Sequence, residues 1–350
     1  ASSDRQLIRF GHGKTEAVTE IQSVFTSSRD YHLNVFMEIV RDTNNLPRFH
    51  KKIKFENKNL RVNEAIGKFN AVLFLPEMTQ IVDGSPNLRR KYIDMVIAQA
   101  IPFYMERLSK YYQAIQQRNA LLKSIAEGTS KTSQLQVWDQ QLARLGAYLI
   151  KTRDTTLQEL EIESHNNHFQ LSHGLESLTI RYQPSFDPAQ FNTQQEKQLF
   201  SENEATALIS RKHLEENEIE TRYLQALGSS RKDDISRGFT TVGPHRDDIR
   251  FLSNNTDLGY YGSRGQIRTA LIALKLAEAS WLEKTTSQTP VLLFDEVLAE
   301  LDRQRRSDLL ERLNNAHQVF LTTTNADLFT SEYQDLCETW NIQNGIVHVD

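Results

Sequence analysis

The chain has 350 residues, with 41 Lys+Arg against 45 Asp+Glu, a formal net charge of −4 and 39% hydrophobic residues. That length and mixture give ample chain to bury a core and exclude a disordered chain or a disulfide-stapled miniprotein. Its one cysteine, Cys337, has no partner for an internal disulfide, so a reducing, cytoplasmic setting is expected. No run approaches the roughly 20 apolar residues that span a bilayer, and a signal peptide is not expected. The small net charge disfavours wholesale polyanion binding but leaves room for a local basic patch.

Residues 1 to 75 read as strands and turns: "LIRF", "SVFT", "YHLNVFMEIV" and "KKIKFENKNLRV" are rich in β-branched and aromatic residues. "NAVLFLPE" is a short apolar run closed by Pro76, the pattern of a buried strand. From Asn87 to Glu163 the period becomes helical, with Tyr92 and Val96, then Tyr104, Leu108, Tyr111 and Ile115, and later Trp138, Leu142, Leu145 and Leu149. The "EGTSKTS" stretch divides this region into two long helices, an αα-hairpin, and Pro102 starts a new segment or kinks the first. "LESLTIRYQ" returns to strand, a polar helix is expected over 193–228, and "GFTTVGPHRDDIRFLSNNTDLGYYGSRGQ" gives short strands and turns. "IRTALIALKLAEASWLEK" is a helix apolar on nearly every side, hence largely buried. "TPVLLFDEV" suits a central parallel strand, "DRQRRSDLLERLNNA" a helix, "HQVFLTTTN" another buried strand, and "GIVHVD" closes the chain. The fold class is α/β. The expected division is a β-rich part over 1–80, a helical lobe over 81–170 and a C-terminal α/β part over 171–350.

Four places carry chemistry. In "PVLLFDEV" an apolar strand ends abruptly in Asp295 and Glu296, and burying bare carboxylates costs several kcal/mol unless a cation or partner meets them. Ligands of open α/β sheets sit at carboxyl strand ends. Asp295 is therefore placed to hold Mg²⁺, and Glu296 to position or deprotonate an attacking water; a strand-end Asp capping the next helix is the alternative. Gly262-Ser263-Arg264-Gly265-Gln266 opens the buried helix, where backbone N–H groups form a ready anion site, or simply a Gly/Ser cap. Thr322, Thr323, Thr324 and Asn325 end a strand that would lie beside Asp295 if the two are neighbours. "TTVGPHRDD" crowds His245, Arg246, Asp247 and Asp248 into a Gly243-Pro244 turn, either as turn chemistry or as a partner, DNA or nucleotide contact.

In this order, "VGPHRDD", "GSRGQ.RTALIALKLAEA", "LLFDEVLAELD" and "VFLTTTN", with "VLFLPE" and "QRNALLK" upstream, resemble the RecF family of bacterial recombination proteins over essentially the whole chain. The Ser263–Gln266 tetrad, the Asp295–Glu296 strand and "LAELD" look like the signature, Walker B and D-loop of SMC-related ABC-type ATPases. The resemblance implies an ABC-ATPase-like head with an inserted helical second lobe, a homodimer formed around two ATP molecules, and DNA binding at single-stranded gaps. It also implies RecO and RecR as partners in loading RecA, within DNA repair, replication and the SOS response. Position by position it implies Asp295 as the Mg²⁺ ligand and Glu296 as the catalytic carboxylate. Ser263, Gly265, Gln266, Asp302 and Thr324 fall at ATP-binding positions, and Pro76-Glu77 at a Q-loop-like one without the Gln. Arg264 replaces the second glycine of transporter-type tetrads, and Asn325 stands where the family is expected to carry Asp.

A Walker A loop, G-x-x-x-x-G-K-[ST], is not present: at Gly13-Lys14-Thr15 the first glycine position holds Ile8, so Lys14 is not assigned to phosphate, and the loop is expected upstream of Ala1. Whether this chain hydrolyses ATP alone is therefore left open. Between 88 and 123, Arg89, Arg90, Lys91, Arg107, Lys110, Arg118 and Lys123 outnumber Asp94 and Glu106. Such a segment is either a solvated basic helix face or a source of sequence-independent DNA affinity; with the family resemblance, Arg89, Arg90, Lys91, Arg107, Lys110 and Arg118 are the expected DNA contacts. His165, His168 and His173 lack the company of a metal site, and Cys337 has no thiolate-activating neighbour. The competing reading is a nucleotide-independent DNA- or partner-binding scaffold with a degenerate ABC-type head, which would have no need for paired carboxylates at a strand tip.

Overall fold

A computed structural model describes residues 17–26, 30–41, 47–189, 213–314, 318–344 and 346–349. The "LIRF" strand, Gly13-Lys14-Thr15 and the first part of the helix expected over 193–228 lie outside the described residues. The chain divides into two compact units at Phe69/Asn70.

In the first unit, β1 (Ala17–Thr26), β2 (Asp30–Arg41), β3 (Pro47–Phe55) and β4 (Lys58–Leu60) form an antiparallel sheet in sequential order, followed by the short helix α1 (Val62–Ala65). Alternation along the strands turns Met37 and Ile53 to a buried face, at 1% and 7% exposure.

In the second unit, β5 (Ala71–Phe74) leads into α2 (Gln80–Asp83), α3 (Pro86–Ala100), α4 (Tyr104–Ala126) and α5 (Leu135–Leu171). The expected break at Pro102 separates α3 from α4, and Phe103 between them takes a left-handed φ of 64°. The hairpin read from sequence is thus three helices, with the polar stretch 127–133 turning the chain between α4 and α5. β6 (Leu178–Gln183) follows, then α6 (Glu216–Arg237), β7 (Asp248–Ser253), β8 (Thr256–Asp257) and α7 (Leu258–Tyr261). α6 runs nine residues past the expected end at 228 and stops where Gly238 adopts φ 70°. The long helix α8 (Arg264–Thr286) precedes β9 (Val291–Asp295), α9 (Arg303–Leu313), β10 (Val319–Thr322), α10 (Ser331–Gln334) and the hairpin β11 (Trp340–Gln343)–β12 (Ile346–Val349).

Two three-stranded sheets, besides the β11–β12 hairpin, organise the described part of this unit. β10-β9-β5 is parallel with β9 central, and β6-β7-β8 is antiparallel. β5, assigned from sequence to the N-terminal part, pairs with β9 and so belongs to the C-terminal sheet. α8 is buried along most of its length, as its all-round apolar pattern requires, and packs on α5, which also runs along α4 and α6. Among the described residues, no helix is long and apolar enough to cross a membrane.

Candidate functional site

At the end of β9, Leu292 and Phe294 are buried and the next residue is the half-buried Asp295. Parallel register sets Thr322 of β10 directly beside it, and the Thr322 hydroxyl donates to Asp295 Oδ1. Glu296 then takes φ 51° and ψ 22°, a left-handed conformation costing about 1–3 kcal/mol in a non-glycine residue. Its N–H donates to the Thr322 carbonyl at 3.2 Å, and the chain turns into Val297. The Glu296 side chain lines a cleft of about 10 Å³, room for roughly one water, with Phe74, Pro76, Arg268, Ile272, Val297 and Leu301. Glu296 and α8 therefore share one cleft. Among the described residues neither Asp295 nor Glu296 has an ion-pair partner, and no cluster of three or more His, Cys, Asp or Glu side chains that could hold a metal ion is present; the oxygen that Asp295 offers is of the kind a hard cation takes.

The turn before α8 is a reciprocal cap. Ser263 Oγ accepts from the Gln266 N–H at 3.2 Å, and Gln266 Oε1 accepts from the Ser263 N–H at 3.0 Å. Ser263 is exposed and Gly265 half-buried; a Cβ on Gly265 would lie 3.8 Å from Arg305 Nη1. Arg305 thus stands between this turn and Asp302, whose carboxylate lies 3.6 Å from it. Asp302 caps α9, accepting from the N–H groups of Arg305 (2.9 Å) and Gln304 (3.1 Å). The Arg305 N–H, with the Arg305 guanidinium and the Gln304 N–H, holds its carboxyl below the usual range. Gln266 is engaged at both ends, because Nε2 donates to Glu176 Oε1 at 3.0 Å. Thr324 is exposed beyond the end of β10, and the hydroxyl that reaches Asp295 is Thr322. Strand register would have found it. Asn325 caps the turn behind it, accepting from the Asp327 N–H at 2.9 Å, and Pro76 lines the cleft.

The basic segment divides sharply. Arg89, 2% exposed, forks onto Asp248 at 2.7 and 2.9 Å and donates to the Gly84 carbonyl. Arg118 is fully buried between Asp139 (2.8 Å) and Asp234 (2.7 Å). Neither reaches a surface, which removes both from the DNA contacts expected from sequence: guanidinium groups paired in the interior have no donors to give a phosphate. Arg90 is half-buried and donates to the Asp247 carbonyl at 2.5 Å. Lys91, Arg107 and Lys110 remain exposed; Arg107 lies over the Tyr148 ring at 3.9 Å, and Lys110 pairs with the exposed Glu106 at 2.6 Å. Tyr104 and Tyr111 are packing residues, both fully buried.

The 242–248 turn is a buried junction. Arg153 donates to the Pro244 carbonyl at 2.6 Å and forks onto Asp94, while Ser185 N–H donates to Asp247 at 2.8 Å and the Tyr182 hydroxyl to its other oxygen. Burial nonetheless raises the Asp247 carboxyl above its ordinary range. The Thr240 carbonyl can only accept, so His245 Nε2 carries the proton and Nδ1 accepts from Tyr111. Gly243 has φ 124°, and a Cβ there would fall 1.8 Å from the Tyr223 hydroxyl. Arg246 is exposed, its guanidinium over Phe239 at 4.8 Å. Of the histidines, His168 is buried, His165 stacks on Phe169, and His173 lies 3.6 Å from Asp308.

No protein-family model matches the chain. It is 34% identical over 348 residues to the DNA replication and repair protein RecF of Halothermothrix orenii, covering 99% of this chain and 84% of that protein. It is 36% identical over 294 residues to RecF of Streptococcus uberis, covering 84% and 73%. Among solved structures, the recombination mediator protein RecF-ATPrS of the RecFOR pathway superposes with a TM-score of 0.75 at 29% identity, over 96% of this chain and 81% of that one. Its RecF-ATP counterpart gives 0.73 at 28%, over 97% and 81%. With its mixed α/β fold and this identity along nearly its whole length, the chain belongs to the RecF family of DNA replication and repair proteins.

Proposed function

We propose that this chain is an ATP-responsive DNA-binding head that dimerises around Mg²⁺–ATP and acts at single-stranded gaps with RecO and RecR to support RecA loading. The observation that carries the reading is the Asp295–Glu296 tip: neither acid has an ion-pair partner among the described residues, and Glu296 shares a cleft with α8. Asp295 would hold the metal and Glu296 would accept the proton of the attacking water. Ser263 and Gly265 present the N-terminal end of α8 to a phosphate, where N–H groups and the helix dipole favour negative charge. Gln266 and Asp302 border that end, and Thr322 sets the orientation of the Asp295 carboxylate. Bridging two heads through ATP favours the closed dimer, and hydrolysis removes the bridge. The solved relatives named with ATP and ATPrS support the nucleotide, and the family supports DNA, RecO and RecR.

In the complete gene product, Glu296→Gln is expected to lengthen the lifetime of the ATP-bound dimer, measured by light scattering after dilution; a dimer no longer-lived than wild type removes Glu296 from the hydrolytic role. For DNA, the exposed Lys91, Arg107 and Lys110 are the assigned contacts. Replacing all three with Ala should reduce the slope of log affinity against log salt by about 2–3, and an unchanged slope places the contact elsewhere.

A further inference from the structure

The link between the α8 cap and the end of α5 involves a residue that no motif marks. Glu176 lies in the connection between α5 and β6. Its N–H donates to Ser172 Oγ at 3.1 Å and its carbonyl meets His168 Nδ1 at 3.4 Å, so its backbone is fixed to the last turn of α5. Its side chain, 17% exposed, accepts from Gln266 Nε2 at 3.0 Å on one oxygen and from Ser253 Oγ at 3.3 Å on the other. His168 Nε2, buried and without a hydrogen bond among the described residues, stands 3.6 Å away. Gln266 is thereby clamped: with Nε2 on Glu176, Oε1 must turn to the Ser263 N–H, which completes the cap that fixes Ser263 Oγ and the Gln266 N–H.

We propose that Glu176 is a positioning residue that sets the Gln266 side chain, and through it the Ser263–Gln266 turn, for the phosphate of a nucleotide held by a second copy of this chain. The proposal rests on the ATP-dimer reading above. Glu176 touches no nucleotide; it removes the rotamer freedom of Gln266 before binding, so that cost is not met when the dimer closes.

The test measures, in the complete gene product, the ATP concentration giving half-maximal dimerisation together with the hydrolysis rate per dimer. Glu176→Ala is expected to raise the half-point about 2- to 10-fold, the range of one net hydrogen bond, with the rate per dimer unchanged. Glu176→Gln, whose amide oxygen still accepts from Gln266, should stay near wild type. In a Gln266→Ala background Glu176→Ala should add nothing. An unchanged half-point in Glu176→Ala, or an equal shift with Gln266 absent, overturns the proposal. If wild type shows no ATP-dependent dimer, the nucleotide reading fails instead. The nucleotide-free thermal double-mutant cycle then decides the clamp: non-additive Tm shifts for Glu176→Ala and Gln266→Ala support it, and additive shifts overturn it.

Discussion

Two adjacent acid pairs in this chain look alike in sequence and meet opposite fates. Asp247–Asp248 lies at the 242–248 turn. Arg89 forks onto Asp248, which also accepts from the Ile249 N–H, and Arg250 stands 3.7 Å from it; Arg153 stands 3.7 Å from Asp247, to which Tyr182 and Ser185 donate. Asp295–Glu296 lies at the tip of β9, and the hydrogen bond to its carboxylates among the described residues comes from the Thr322 hydroxyl. One pair closes a fold; the other has no ion-pair partner among the described residues. Carboxylates that find arginines inside the molecule hold elements together, because a charge pair in the interior is costly to split. Carboxylates left facing a cleft at a strand end keep their capacity to bind a cation.

Arg118→Met should destabilise the protein by about 3–5 kcal/mol, read from denaturant unfolding, because Asp139 and Asp234 would lose the buried guanidinium between them. A loss under about 1 kcal/mol would mean that the interior network is dispensable. A smaller effect concerns His245, which burial, with help from Arg246, Arg90 and Arg153, pushes down to about 4 from an ordinary value of 6.5. Between those values the unfolded chain takes a proton that the folded chain refuses, so stability falls as pH drops through that window. A His245→Gln variant should lose stability less steeply there; identical slopes would show that His245 titrates no differently in the folded protein. The smallest stability effect belongs to the open side: Asp295→Asn should change unfolding free energy by less than about 0.5 kcal/mol.

The open tip was legible because its signal is local. Four apolar residues stopping at two acids can be read without knowing the fold, as can the glycine-flanked cap of α8 and that helix's all-round apolarity. The closed junction was not. Arg118 finds its acids 21 and 116 residues away, and Arg89 finds Asp248 at a separation of 159 residues, so in sequence both read as members of a basic run. Side-chain partners of that range depend on how α3, α4 and α5 pack against β7 and α6, which periodicity does not specify. Which hydroxyl of the Thr322–Thr324 run meets Asp295 was a question of register, fixed by pairing Val319–Thr322 with Leu292–Asp295. Glu176 had no signal, a single acid in "LESL", and its role depends on the connection after α5 folding back to the start of α8.

Whether the open tip takes a metal–triphosphate is tested most directly by titrating ATP into the complete wild-type and Asp295→Asn proteins, each with and without Mg²⁺. Tight, Mg²⁺-dependent binding in wild type and loss of the Mg²⁺ dependence in the variant, at equal thermal stability, is the result expected. Equal affinity and equal Mg²⁺ dependence in both proteins would contradict it.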